Sequence, residues 1–114
     1  MNVVVVGNIG LTENESPIKK LIANRIALSH YCVPFQLGIN LGNTVLPNGC
    51  PKNDFQKLQE RFSFSFPSNI FTFDILSIIG PRDHDGDFET EINYHRKVHP
   101  QFYLPKRNYV YGWH

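Results

Sequence analysis

The chain opens with four consecutive valines, Val3 to Val6, a β-branched run that predicts a strand covered on both faces. Gly7 and Gly10 then turn the backbone. From Ser16-Pro17 the pattern becomes helical: a hydroxyl residue suited to the N-cap, a proline whose missing N–H is harmless in the first turn, and Ile18, Leu21, Ile22, Arg25, Ile26 and Ser29 recurring on one face. Cys32 to Leu37 predicts a short second strand, and Gly38 to Pro51, rich in Gly, Asn and Pro, a loop. A second helix is expected near Asn53 or Asp54, with Phe55, Leu58 and Phe62 at i, i+3 and i+7, followed by an irregular aromatic connection from Phe64 to Asn69. The third strand falls within Phe71 to Ile79, strongest over Ile75 to Ile79. The acidic turn Asp83-His84-Asp85-Gly86-Asp87 leads into a third helix with Glu89 and Glu91 in its first turn, Arg96 and Lys97 in its last, and Pro100 as its stop. Tyr103 to Tyr111 reads as extended, with a turn at Pro105.

Strand and helix alternate, so an α/β fold follows, with a mainly parallel sheet flanked by helices and residues 1–114 forming a single domain. In such sheets ligands gather beyond the carboxyl ends of the strands. Three stretches fall there: Gly7-Asn8-Ile9-Gly10, Gly38-Ile39-Asn40 and Gly80-Pro81-Arg82-Asp83-His84.

These stretches resemble the GDxG, GDN and GNHDH loops of the purple-acid-phosphatase branch of the metallophosphoesterases. The resemblance runs over most of the chain and is fullest from Ile78 to Tyr109. There Gly80 to His84 is followed by Gly86-Asp87, Ile92, Tyr94, Phe102 to Pro105 and Tyr109 in the family's order. It implies the N-terminal half of a metallophosphoesterase αββα sandwich. Carried over position by position, the family's first aspartate falls on Asn8, its bridging aspartate on Ile39, its tyrosine on Gly42, its asparagine on Pro81 and its substrate-facing histidine on Arg82. With Asn40, Asp83 and His84, these positions make up a vestigial pocket. The sequence reaches His114 without a counterpart of the later histidine loops. A two-metal site needs anionic oxygen and imidazole donors, which Ile39 and Gly42 do not offer, and Arg82 adds positive charge. No catalytic residue, metal ligand or cofactor is therefore expected. The glideosome-associated phosphatase-like scaffolds of apicomplexan parasites are similar in carrying an Arg in the GNHD-like loop and no Asp in the GDN-like one.

The function expected from the resemblance is a catalytically inactive, scaffold-like interaction subunit. Two alternatives stand beside it. One is a metal-independent anion- or phosphoprotein-binding module using Arg82, which sits ahead of a helix N-terminus. The other is a piece of an active acid phosphatase, a phosphomonoester hydrolase whose remaining ligands lie elsewhere. Without the family's second sheet an apolar sheet face stays uncovered, so protein partners or a homo-oligomer are expected through it.

Composition narrows the field further. Hydrophobic residues make up 41% of the chain and the net charge is +1, which fits a folded chain and gives no field for nucleic acid. No apolar run approaches the roughly 20 residues that span a bilayer, and no basic n-region precedes the valines, so neither a membrane span nor a signal peptide is expected. Asp83 to Asp87 lacks the Gly and Glu of a calcium loop, since Phe88 and Tyr94 stand there, and reads as a helix-capping turn through Asp87. His95 and His99 have the spacing of a zinc pair, but a solvated helix end accounts for them as well. Lys106-Arg107 beside Tyr109, Tyr111 and Trp113 suggests either a stacking surface or a tail packing its rings on the core. Cys32 and Cys50 are consistent with one disulfide or with two free thiols.

Overall fold

A computed structural model describes residues 1–112 of the chain. Four short strands, β1 (Val3–Val6), β2 (Leu37–Asn40), β3 (Ile75–Ser77) and β4 (Phe102–Tyr103), form one sheet in the order β1-β2-β3-β4. Every neighbouring pair is parallel, so the α/β expectation holds. Helix α1 (Pro17–Cys32) joins β1 to β2. A short α2 (Phe55–Leu58), continued by a π-helical turn (Gln59–Ser63), lies between β2 and β3, and α3 (Pro81–Asp85) and α4 (Phe88–Lys97) separate β3 from β4.

This order makes the two faces of the sheet unequal. Crossovers of a common hand that always advance in one direction all lie on the same side. On that side Gly38, Asn40, Ile75, Ser77 and Phe102 are buried against Leu58, Phe62, Phe66, Phe71, Ile92 and Tyr94. The register puts Val5, Ile39, Leu76 and Tyr103 in a row across the other face, where Val5 is 55% exposed. The Tyr109 hydroxyl donates to the carbonyls of Ser77 and Tyr103 (2.7 and 3.0 Å), so the following tail covers the β3–β4 end of this row.

Three expectations change. β1 is an edge strand with alternating exposure rather than a strand buried on both faces, because order alone places it at the rim. α1 continues through Cys32, where a strand was expected. The chain leaves the helix at Val33, ahead of Pro34, whose ring disfavours α geometry in the preceding residue. The second strand moves accordingly to Leu37–Asn40 and takes in the Gly38-Ile39-Asn40 stretch. Third, the apolar stripe of α1 largely faces away from the core. Lys19 and Ala23 are buried, Ile26 and Ala27 pack against the core, and Ile18, Leu21, Ile22 and Leu28 are exposed. Ser16 starts the helix without a side-chain cap bond.

Candidate functional site

The loops after β1, β2 and β3 meet beyond the carboxyl ends of the strands, and one carboxylate fastens two of them. Asp83, fully buried in α3, accepts the Asn43 N–H (2.8 Å) and the Gly80 N–H (2.9 Å) on Oδ2 and the Thr44 N–H (3.0 Å) on Oδ1. The bond to Gly80 also satisfies an otherwise orphan donor at the start of α3. Asn40, equally buried at the end of β2, donates through Nδ2 to Thr44 Oγ1 (3.0 Å) and Ser77 Oγ (3.2 Å). Its Oδ1 accepts the Gly42 N–H (3.1 Å). Asn43 extends the lacework to the first loop: its Nδ2 donates to Asn8 Oδ1 (2.6 Å), while its Oδ1 accepts the Arg82 N–H (2.9 Å). The Asn8 N–H in turn donates to the Gly42 carbonyl (3.2 Å).

Of the positions singled out in the sequence, Asn8, Asn40, Gly42, Arg82 and Asp83 thus belong to one network, the first and fourth by their bonds to Asn43. Ile39 does not. Alternation sends its side chain to the face opposite Asn40, among Leu76, Ile78 and Tyr109. Pro81 is the exposed first residue of α3, and His84 turns outward to meet the Phe88 ring edge-on. The Arg82 guanidinium is exposed and paired with Asp85 (3.4 Å), one turn further along α3.

Asn43, Thr44, Ser77 and Glu91 complete the junction and were not legible as site residues. The Gly42-Asn43 dipeptide was the available signal, for it marks a turn, and Asn43 does adopt a left-handed φ of 56°. Glu91 on α4 lies against Asp83, buried, with Oε2 lacking any partner. Burial first, and the neighbouring Asp83 second, hold its carboxyl well above the usual range.

The residues present do not fit a dinuclear metal centre. Both oxygens of Asp83 are already taken by backbone donors, and Ile39 points to the wrong face. Gly42 stands at φ +100°, and a Cβ there would lie 2.6 Å from the Gly80 nitrogen, so no ligating side chain can occupy that position. Among the described residues no three His, Cys, Asp or Glu side chains converge in a way that could hold an ion.

The other candidate groups resolve separately. His99 lies beyond the end of α4 and is buried. Its Nδ1 shares a bond with the Ser63 hydroxyl (2.7 Å), which also bonds the Tyr94 hydroxyl. His95 points elsewhere, to the Pro100 carbonyl (3.0 Å), so the two histidines do not form a pair. Burial lowers the pKa of His99 and raises that of Tyr94. Asp83 and Asp85 are helical rather than in a turn, while Asp87 precedes α4 and accepts from the Thr90 hydroxyl (2.7 Å). Tyr109 and Tyr111 pack edge-on around Tyr103, the tail-on-core arrangement, and Arg107 lies over the Phe88 ring; Trp113 is outside the described residues. Both cysteines are free, Cys32 exposed and Cys50 buried, with the Cys50 thiol pushed up to about 12 by burial. No described helix is long and apolar enough to cross a membrane.

A scan of protein-family models finds no match to the chain, and neither does a search of curated proteins.

Proposed function

We propose that this chain is a non-catalytic, metallophosphoesterase-like half-domain that works by binding other protein surfaces. The observation that carries this reading is the loop junction itself. The order of the three loops follows the phosphatase pattern, but their meeting point is closed by hydrogen bonds among Asp83, Asn40, Asn43 and backbone N–H groups. Charge on a transferring phosphoryl group is stabilised by metals or by open donors. Here the donors are bonded to protein, and the Arg82 guanidinium faces Asp85.

The binding half of the reading rests on apolar surface. Ile18, Leu21, Ile22 and Leu28 expose one side of α1, and Val3, Val5 and Ile78 expose apolar area at or beside the open part of the sheet. Apolar surface of this extent on two sides marks contact with partners.

Two measurements test it. Incubation with manganese, zinc or iron followed by desalting and elemental mass spectrometry should leave well under one metal per chain and no hydrolysis of p-nitrophenyl phosphate. About one or two ions per chain together with turnover would overturn the non-catalytic reading. Light scattering should show the chain assembled, and Leu21→Glu with Leu28→Glu should shift it toward the monomer. A monomeric wild type that captures no protein partner through these residues would overturn the scaffold.

A further inference from the structure

We infer that Lys19 is a carbonyl-capture site, forming a Schiff base with small apolar aldehydes or ketones that enter the cavity between β1 and α1. The cavity holds about 290 Å³ and is lined by Val6, Ile9, Ile18, Ile22 and Phe66, with Asn8 and Ser16 as its polar members. Lys19 lines it too, on the inward face of α1, only 6% exposed where an ordinary lysine would reach water. Its amine donates to the carbonyl of Leu11, itself on the cavity wall, at 2.7 Å, and to the carbonyl of Arg61.

This setting suits the free amine. Burial disfavours the ammonium ion and lowers the pKa to about 8, with Arg61 on the π-helical turn adding to the effect and Glu13 and Glu15 in the preceding loop opposing it. The two backbone carbonyls take two of the ammonium's three N–H bonds and equally accept both N–H bonds of the neutral amine. Its lone pair, the nucleophile, is left over. Desolvation in an apolar pocket is one of the ways a lysine becomes nucleophilic near neutral pH.

The chemistry balances without an oxidant or reductant. The Nζ lone pair attacks the carbonyl carbon, and transfer of a proton from nitrogen to oxygen gives a carbinolamine. The oxygen then leaves as water, so one amine and one carbonyl give one imine and one water. The walls are mainly hydrocarbon, so they favour an alkyl tail over a charged one. The site borders the loop junction through Asn8, which lines the cavity as well, and does not depend on the scaffold reading.

Lys20, exposed beside it, is an internal control on the same chain. Wild-type chain would be incubated with hexanal and cyanoborohydride from pH 6.5 to 10 and the reduced adducts mapped by peptide mass spectrometry. Lys19 should be alkylated at least about tenfold faster than Lys20 at neutral pH, where an ordinary lysine is almost wholly protonated. Its rate should be half-maximal near pH 8. Glyoxylate, with its carboxylate, should erase most of that preference. Ile22→Trp, which narrows the cavity from its α1 wall, should slow Lys19 and leave Lys20 unchanged. A Lys19 rate no greater than that of Lys20, or one that keeps climbing to pH 10 in parallel with it, would overturn the inference. So would indifference to Ile22→Trp.

Discussion

A carboxylate that accepts three backbone N–H groups in a closed environment cannot be replaced piecemeal. Removing the side chain of Asp83 would leave the donors of Asn43, Thr44 and Gly80 buried and unpaired. An unsatisfied buried donor costs about 1–3 kcal/mol, so Asp83→Ala should destabilise the fold by roughly 3 kcal/mol or more in urea denaturation. A loss below about 1 kcal/mol would show that the junction relaxes or admits water. Asp83 was visible in the sequence as part of a motif, but its role was not. Two of its partners lie 39 and 40 positions away, and nothing local in Gly42-Asn43-Thr44 announces where its N–H groups will point.

At the level of elements, α1 shows how far periodicity reaches. The spacing of Ile18, Leu21 and Ile22 was enough to identify a helix, and the helix is there. Which side faces the sheet depends on where the loop from β1 delivers its first turn, and that loop holds Lys19 by the Leu11 carbonyl. The face of Lys19 and Ala23 therefore turns inward. Under dilute, monomeric conditions Leu21→Lys should change unfolding stability by less than about 0.5 kcal/mol, as exposed substitutions do. Ala23→Leu should cost about 1–3 kcal/mol by overpacking. Equal losses from the two substitutions would mean that α1 packs by its other face. The aromatic helix near Phe55 behaves in the opposite way. Leu58 and Phe62 are both fully buried as the pattern required, with a π-helical turn carrying the chain past the regular helix.

Across the whole molecule the buried titratable groups give a pH dependence with two opposed slopes. His99 has a lowered pKa in the fold, so the unfolded chain binds protons first and stability falls as pH drops below about 6.5. Glu91 has a raised pKa, so its stability is complete below the ordinary carboxylate range and is lost as pH rises toward its folded value. Between pH 5 and 7, Glu91→Gln should make stability climb more steeply with pH than in wild type, and His99→Gln should make it climb less. Matching slopes in thermal melts of all three proteins would show that neither group titrates with folding. The same scale marks the limit of the sequence. Alternating strand and helix patterns determined the α/β class and the order of most elements, because hydrophobic period and helix-terminating residues act within a turn or two of the chain. Only the tertiary structure decided that β1 is an edge, that α1 shows its apolar side to solvent and that Asp83 fastens two loops together. Those outcomes depend on contacts between residues remote in sequence, and local pattern carries no record of them.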